Sequence, residues 1–292
     1  MIDIHNHLLP SFDDGSPTLD NSLDMAEIAA ASGVDTVILT PHCNIPGYFD
    51  NYYGPNLMLA FQNLQTAIHQ AHIPLRVLPG MEVFTTDDIS ALIHDCRLIG
   101  LNFSNYLLTE FDFTSHPNWM SERLEDIQQS GKIPIIAHPE RYNCIHDAPY
   151  IAESWLKSGC LLQCNKGSFL GDFGRHAEIA AHFLLEHRMV SFIASDAHRA
   201  TVRTPQMQEI FRYISLKFSD ETAHRLMLYN PMHICRNIPF PHRILFHICL
   251  YPTGNYKLQK DSMSNTLSFI FLSVISRYVH PCCRNESLPH LM

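Results

Sequence analysis

Short apolar runs alternate with longer amphipathic stretches along the first 240 residues, a pattern typical of βα units around a parallel sheet. Gly33, Gly131 and Gly159 each separate a helical stretch from a strand, where helix-ending glycines are common. Candidate strands are 2–5, 36–40, 76–78, 106–110, 133–137, 161–164 and 191–194. Candidate helices are 19–31, 56–71, 119–129, 148–157, 176–186 and 205–217. About seven repeats predict an α/β fold, with a closed or distorted barrel more economical than an open sheet.

Charge divides the chain into two parts. Residues 1–239 carry 15 basic and 27 acidic residues, a balance of −12, whereas residues 240–292 carry 5 and 2, a balance of +3. The second part is rich in Phe, Ile, Ser and Cys and shows no strand–helix rhythm. We therefore expect a folded domain over residues 1–239 and a C-terminal extension over residues 240–292 outside the barrel.

Composition narrows the class of protein. The chain has 292 residues, 46% of them apolar, and a net charge of −9, which suits a globular protein and argues against nucleic acid as a partner. The N-terminus lacks a signal-peptide pattern, and the apolar stretch 266–276 is too short to cross a bilayer. Nine cysteines without framework spacing predict reduced thiols. A cytoplasmic protein without membrane insertion is expected.

Histidine is unusually frequent, with 19 copies, and several of them fall where predicted strands end. His5 and His7 follow the first strand, and the pair Asp13-Asp14 lies in the next loop. Other strand ends contribute His42, Glu82, Glu110, His138, Asp196 and His198. Because parallel barrel strands deliver their carboxyl ends to one rim, these side chains should converge. Mixed imidazoles and carboxylates suit Mn, Fe or Zn, and the number of ligands predicts two or three ions.

Several familiar phosphatase and hydrolase motifs are missing from the sequence. No Cys-x5-Arg loop, Gly-x-Ser-x-Gly elbow or Gly-x4-Gly-Lys-Ser/Thr loop occurs. Cys160-x3-Cys164 and Cys282-Cys283 lack the partner pairs of a zinc site. The sequence therefore favours metal-dependent chemistry over a covalent thiol or serine nucleophile.

The motifs, taken in order, resemble the PHP (polymerase and histidinol phosphatase) superfamily, and most closely its CpsB/CapC/YwqE branch of bacterial protein-tyrosine phosphatases. They are His5-Asn6-His7, Asp14-Gly15, Thr40-Pro41-His42, Glu82, His138-Pro139-Glu140-Arg141-Tyr142 and Ser195-Asp196-Ala197-His198. The resemblance implies a distorted (β/α)7 barrel, a three-ion site usually loaded with manganese, and control of capsule or exopolysaccharide synthesis. The implied substrate is the phosphotyrosine tail of a bacterial tyrosine kinase.

The resemblance also assigns roles by motif. It implies that His5, His7, Glu82 and Asp196 hold one ion, and that Glu82 bridges to a second ion held by Glu110 and His138. Asp14, His42 and His198 would hold the third. Arg141 and Arg203 match the two family arginines that bind the phosphoryl group, although Arg203 precedes Thr204-Pro205 where relatives have Pro-Pro.

The hypothesis is phosphomonoester hydrolysis by a metal-bound hydroxide, without a covalent phosphoenzyme. One alternative is another phosphatase of the superfamily, acting on histidinol phosphate or a different small phosphate ester. A second alternative is an amidohydrolase, a class that commonly needs a carbamylated lysine at a strand end. The candidate lysine, Lys166, is predicted to lie in a loop, which disfavours this alternative. The third is a non-catalytic, metal-stabilised regulatory binding protein.

Four aromatic residues follow the His42 motif in the loop 43–54: Tyr48, Phe49, Tyr52 and Tyr53. One hypothesis is that these rings line the entrance and stack against the phenyl ring of the substrate. Ordinary packing of loop aromatics on the barrel is the alternative.

Overall fold

Within residues 1–240, the part of the chain described by this computed structural model, nine strands pair only in parallel and form two sheets. The first sheet has the order β1-β2-β4 and the second β3-β5-β6-β7-β8-β9. The strands are β1 Ile2–Asp3, β2 Thr36–Leu39, β3 His42–Cys43, β4 Arg76–Pro79, β5 Glu82–Phe84, β6 Tyr106–Glu110, β7 Ile133–Ala137, β8 Leu161–Asn165 and β9 Phe192–Ala194. A parallel bridge joins Asn6, which follows β1, to Ala197, which follows β9, and so brings the last strand beside the first. The expected distorted barrel is confirmed.

Two short strands that were not predicted, β3 and β5, explain the count of nine. Each follows a predicted strand after an interruption of two residues, β3 after β2 at Thr40-Pro41 and β5 after β4 at Gly80-Met81. Pro41 has no N–H to donate to a ladder, and its carbonyl instead accepts from the Glu82 backbone N–H at 3.2 Å. Each interruption moves the strand from one sheet to the other.

Eleven α-helices occur within the described residues, and six of the segments follow the predicted helical stretches. They are α1 Leu19–Ala31, α2 Pro55–Gln70, α3 Ile89–His94, α4 Pro117–Gln129, α5 Asn143–Asp147, α6 Ile151–Lys157, α7 Lys166–Phe169, α8 Arg175–Glu186, α9 Gln208–Lys217, α10 Asp220–His224 and α11 Asn230–Cys235. The predicted helix 148–157 is wrong at its start, because Pro149 disfavours helical geometry at Ala148 and leaves α6 to begin at Ile151. No helix of the described residues is long and apolar enough to cross a membrane.

Alternate strand residues build two apolar layers. Ile38, Leu108 and Ile135 pack together inside the barrel, whereas their neighbours Leu107 and Ile136 pack against the helices. The end of the barrel where β6 begins is covered by the segment that follows α11. There the Tyr106 hydroxyl donates to the Ile238 carbonyl at 2.8 Å. The opposite end, where the strands finish, is left for polar side chains.

The predicted extension over residues 240–292 lies outside the described residues except for Phe240. Its backbone N–H donates to the Tyr106 hydroxyl at 3.1 Å, and its ring lies 5.5 Å from that of Phe192.

Candidate metal centre

All nine predicted ligands meet at the rim formed by the carboxyl ends of the strands. His5 and His7 follow β1, Asp14 lies in the loop after them, and His42 and Glu82 begin the short strands β3 and β5. Glu110 ends β6, His138 follows β7, and Asp196 and His198 follow β9. Their ligand atoms form four overlapping groups, with members within 4.8 Å of one another.

Glu82 lies at the centre of this cluster. Its Oε2 is 3.0 Å from His5 Nε2, 3.2 Å from His7 Nε2 and 3.1 Å from His42 Nδ1. Its Oε1 is 2.9 Å from His138 Nε2. A single buried carboxylate therefore faces four imidazoles, as a bridging ligand between ions would.

The other two carboxylates at the rim flank Glu82 on different sides. Asp196 Oδ1 lies 3.3 Å from His5 Nε2 and 3.4 Å from His7 Nε2. Glu110 lies 3.6 Å from His138 Nε2 and 3.5 Å from His42 Nδ1. These distances place one candidate position near His5 and His7 and another near Glu110 and His138.

A third candidate position lies nearer to solvent. Asp14 Oδ1 is 3.6 Å from His42 Nε2 and 3.5 Å from His198 Nε2, and the His7 and His198 rings are 4.1 Å apart. His42 thus faces two groups, through Nε2 towards Asp14 and through Nδ1 towards Glu82.

The donor set fits divalent cations. Glu82 Oε2 and His42 Nδ1 are buried and have no hydrogen-bond partner within residues 1–240, although they face each other. Burial, together with the charges of Glu82 and Asp196, raises the pKa of Glu110 well above its ordinary value. Burial lowers the pKa of His138 to about 4, which keeps its ring neutral near pH 7. Crowded carboxylates and the neutral imidazole of His138, aimed at one space, are what a metal ion would stabilise.

A ring of further polar contacts orients the candidate ligands. Asp13 Oδ2 lies 2.7 Å from His7 Nδ1, and Gln163 Oε1 lies 2.8 Å from His5 Nδ1. The Asn165 amide donates to Asp196 Oδ2 at 2.5 Å. Such partners fix the tautomer and direction of a metal-binding imidazole.

Sequence reasoning did not single out Gln163 and Asn165, and it treated Asp13 only as part of a loop. A signal was present, because Gln163 and Asn165 alternate on the otherwise apolar strand β8 and so face the same side. Asp13, in contrast, cannot be told from its neighbour Asp14 by sequence position alone.

Backbone conformation also directs side chains into the rim. His138 and Asp196 both have positive φ, 34° and 50°, which is unusual for residues with a Cβ. Such strained conformations cluster at functional sites, where the surrounding structure enforces them.

The two predicted phosphate-binding arginines lie beside the cluster. Arg141 Nη1 is 3.8 Å from Asp196 Oδ2, and Arg203 Nη2 contacts the same oxygen. Both side chains are about a quarter exposed, 21% for Arg141 and 28% for Arg203. The structure therefore brings both cations to the open edge of the candidate metal centre.

Lys166 begins the short helix α7 rather than lying in a loop. Its Nζ donates to the Gln206 carbonyl at 2.7 Å. This placement does not favour the carbamylated-lysine alternative.

One ring of the aromatic loop 43–54 reaches the site. Phe49 stacks nearly parallel on His42, with ring centroids 6.1 Å apart. Tyr48 is 81% exposed, and Tyr53 instead packs edge-on against Phe103. The hypothesis that the loop lines the entrance therefore rests on Phe49.

Comparison with known proteins gives a consistent result. A family model described as capsular polysaccharide synthesis, CpsB/CapC, matches residues 1–236. The tyrosine-protein phosphatase YwqE of Bacillus subtilis is 34% identical over 226 residues, covering 77% of this chain and 88% of the relative. The tyrosine-protein phosphatase CpsB of Streptococcus agalactiae serotype V is 29% identical over 245 residues, covering 81% and 99%.

Solved structures extend the comparison to the fold. A structure from work on YwqE of Bacillus subtilis and CpsB of Streptococcus pneumoniae, described as unique metal-dependent tyrosine phosphatases, has a TM-score of 0.75 and 34% identity. It covers 81% of this chain and 95% of its own. The lactonase Lmo2620 from Listeria monocytogenes, at 11% identity, has a TM-score of 0.53 over 80% of this chain and 92% of its own. This second likeness concerns the fold alone.

Proposed function

Because the chain belongs to the CpsB/CapC family of capsular polysaccharide synthesis, we propose that it is a metal-dependent protein-tyrosine phosphatase. The observation that carries the proposal is the convergence of the nine predicted ligands with Arg141 and Arg203 at one rim. A site of this kind combines the groups that bind cations with the groups that bind a phosphoryl anion.

Three groups of residues would hold the ions. His5, His7, Glu82 and Asp196 would form the first site, and Glu82, Glu110 and His138 the second. Asp14, His42 and His198 would form the third. Mixed nitrogen and oxygen donors suit manganese, which we propose as the native ion, with iron or zinc as alternatives. When bound, such ions activate a water near neutral pH and neutralise phosphoryl oxygens.

Arg141 and Arg203 would bind the non-bridging oxygens of the phosphoryl group. Guanidinium groups present several N–H donors in one plane, which matches the geometry of a phosphate. Both arginines lie next to Asp196 at the rim. A tyrosine leaving group, with a pKa of about 10, needs less protonation than a serine alkoxide.

A thiol nucleophile is not favoured at this site. Cys43, which follows His42 directly, donates its thiol to the Asp50 carbonyl at 3.2 Å. Burial raises the pKa of the Cys43 thiol to about 12, so it stays protonated at neutral pH.

The proposed substrate is a phosphotyrosine-bearing bacterial tyrosine kinase that controls capsule or exopolysaccharide synthesis. Support comes from the family, whose description is capsular polysaccharide synthesis. We also propose a cytoplasmic location, which agrees with the free thiols of Cys43, Cys144, Cys160, Cys164 and Cys235.

The direct test is hydrolysis of a phosphotyrosyl peptide by the full chain with manganese. We expect turnover that exceeds that on a phosphoserine peptide and falls more than about a hundredfold after chelation or in His7→Ala. His94→Ala, a change at an exposed histidine on α3, is the matched control and should retain activity.

Other outcomes would redirect the proposal. Turnover of histidinol phosphate or a sugar phosphate in preference to the peptide would indicate a small-molecule phosphatase. Metal binding without turnover of any ester would favour a regulatory binding protein.

We further propose that residues 1–239 form the complete catalytic unit and residues 240–292 an appendage. The family model, which ends at residue 236, supports this boundary. Comparing the full chain with a chain ending after Phe240 tests it, since equal kcat/KM is expected for both. A large loss of activity in the shorter chain would show that the extension contributes to the site.

A further inference from the structure

Phe173 contacts both arginines at the rim. The Arg141 guanidinium carbon is 4.5 Å from the centre of the Phe173 ring, and that of Arg203 is 5.3 Å away. A second ring, that of Phe113, lies 4.6 Å from the same carbon of Arg141. Both cations therefore rest over the face of one aromatic side chain.

Asp196 holds the two arginines unequally, Arg203 by a close contact and Arg141 only loosely. The ion pair of Arg141 with Asp196 is long, at 3.8 Å, and Arg203 shares the same carboxylate oxygen. Arg203 Nε is buried and has no hydrogen-bond partner among the residues that the structure describes. Since Asp196 is also a candidate metal ligand, a bound cation would compete with both arginines for its charge.

Stacking on a ring leaves the N–H donors of an arginine free, whereas a carboxylate partner would occupy them. A guanidinium donates hydrogen bonds in its plane, whereas an aromatic ring contacts its face. A ring can therefore fix the direction of the group without occupying an N–H or neutralising its charge. The donors of Arg141 and Arg203 then stay available for the three oxygens of a phosphoryl group.

The position of Phe173 is itself closely determined. It lies in the loop between α7 and α8, and a Cβ at Gly167 would be 2.9 Å from Phe173 Cε2. The same atom would be 2.9 Å from Asp172 Oδ2, and the Asp172 N–H donates to the Gly167 carbonyl at 2.9 Å. The loop thus packs closely against Gly167, whose missing side chain leaves space for the Phe173 ring.

We propose that Phe173 is a positioning residue, which orients Arg141 and Arg203 by their faces so that their N–H edges bind the phosphoryl group. The identity of the substrate rests on the proposed function, but the arrangement of the two arginines does not. The affinity for inorganic phosphate can therefore test the role of Phe173 without any tyrosine substrate.

The experiment measures inorganic phosphate binding to the manganese-loaded full chain by calorimetry, for three variants. Phe173→Leu should weaken binding about five- to tenfold, whereas Phe173→Tyr, which keeps an aromatic face, should stay within about twofold. The matched control is Phe211→Leu, at another half-buried phenylalanine. Phe211 lies on α9 and packs edge-on against His224 of α10, and the variant should bind phosphate as the parent does.

A structural role and a positioning role differ in a second readout. In a chain that already carries Arg141→Ala and Arg203→Ala, Phe173→Leu should weaken phosphate binding no further. With a phosphotyrosyl peptide, Phe173→Leu should raise KM more than it lowers kcat, at unchanged manganese content. Should Phe173→Leu fail to fold, Phe173→Met replaces it under the same criteria.

Unchanged phosphate binding in Phe173→Leu would overturn the inference, as would an equal loss in Phe173→Tyr or a further loss in the chain without the two arginines. If the parent protein binds phosphate but does not hydrolyse the peptide, the proposed function fails and the phosphate measurements still decide the role of Phe173.

Discussion

Asp13 joins two candidate metal ligands from different strands through one carboxylate oxygen. Its Oδ2 lies 2.7 Å from His7 Nδ1 and accepts the backbone N–H of His42 at 2.9 Å. Its neighbour Asp14 instead faces the rings of His42 and His198. Consecutive acidic residues in one loop thus contact the candidate centre in different ways, the first by orienting an imidazole and the second as a candidate ligand.

Replacing Asp13 by Asn should weaken metal binding without removing a ligand. The amide cannot hold the His7 ring by charge, so we expect manganese affinity to fall about 10- to 100-fold. Titration calorimetry of the metal-free chain measures this. Asp24→Asn, at an exposed position of α1, is the matched control. An affinity equal to that of the parent would show that Asp13 does not orient His7.

Removing metal should lower thermal stability. Glu82, Glu110 and Asp196 are crowded at one rim, and cations would offset their repulsion. With free manganese at about 100 times its Kd, linkage gives about 2.7 kcal/mol, or a rise in Tm of about 5–10 °C for a domain of this size. Calorimetric scans with manganese and with chelator measure the difference.

The matched variant for this prediction is Glu82→Gln, because Glu82 faces four imidazoles. Its difference in Tm between the two conditions should shrink to less than half that of the parent. Identical Tm values for the parent with and without manganese would speak against a metal centre.

Gly15 is required by a close approach in the first loop. A Cβ there would lie 2.3 Å from the His7 carbonyl oxygen and 2.4 Å from His7 Cβ. Gly15→Ala should therefore displace His7 and lower both stability, by about 1–3 kcal/mol, and metal affinity. Gly54→Ala is the control, since its Cβ would meet only the Tyr52 carbonyl at 4.0 Å. Chemical denaturation and metal titration of both variants distinguish them, and equal effects would contradict the prediction.

Much of the fold follows from local pattern. The strand β6 and the helix α1 have their predicted bounds, because an apolar run and an amphipathic stretch each have a clear period. The division of two strands was not predicted. It depends on which sheet each half pairs with, and that is decided by neighbours from distant parts of the chain.

The candidate site divides in the same way. The placement of His5, Glu110 and His138 at strand ends can be predicted from local sequence. The barrel then brings these strand ends together at one rim. Gln163, however, meets His5 across 158 residues, and Phe173 meets Arg141 from a loop with no regular pattern. Such contacts depend on how distant strands and loops pack together, and the spacing of residues in a single sequence does not predict that packing.

The last prediction concerns recognition of the phenyl ring. Phe49 stacks on His42, and its loop is held by the Ile45 N–H, which donates to the Phe49 carbonyl at 2.9 Å. A ring fixed beside a candidate ligand offers an aromatic surface to an aryl phosphate, but only a small apolar contact to an alkyl phosphate.

Phe49→Ala should therefore raise KM for an aryl phosphate several-fold more than for a small alkyl phosphate. Tyr48→Ala, in the same loop but pointing largely to solvent, should change neither value by more than about twofold. Steady-state kinetics with both esters at saturating manganese measure the ratio. An equal rise for both esters in Phe49→Ala would mean that Phe49 supports His42 rather than the substrate, because a displaced ligand would affect every phosphate ester alike.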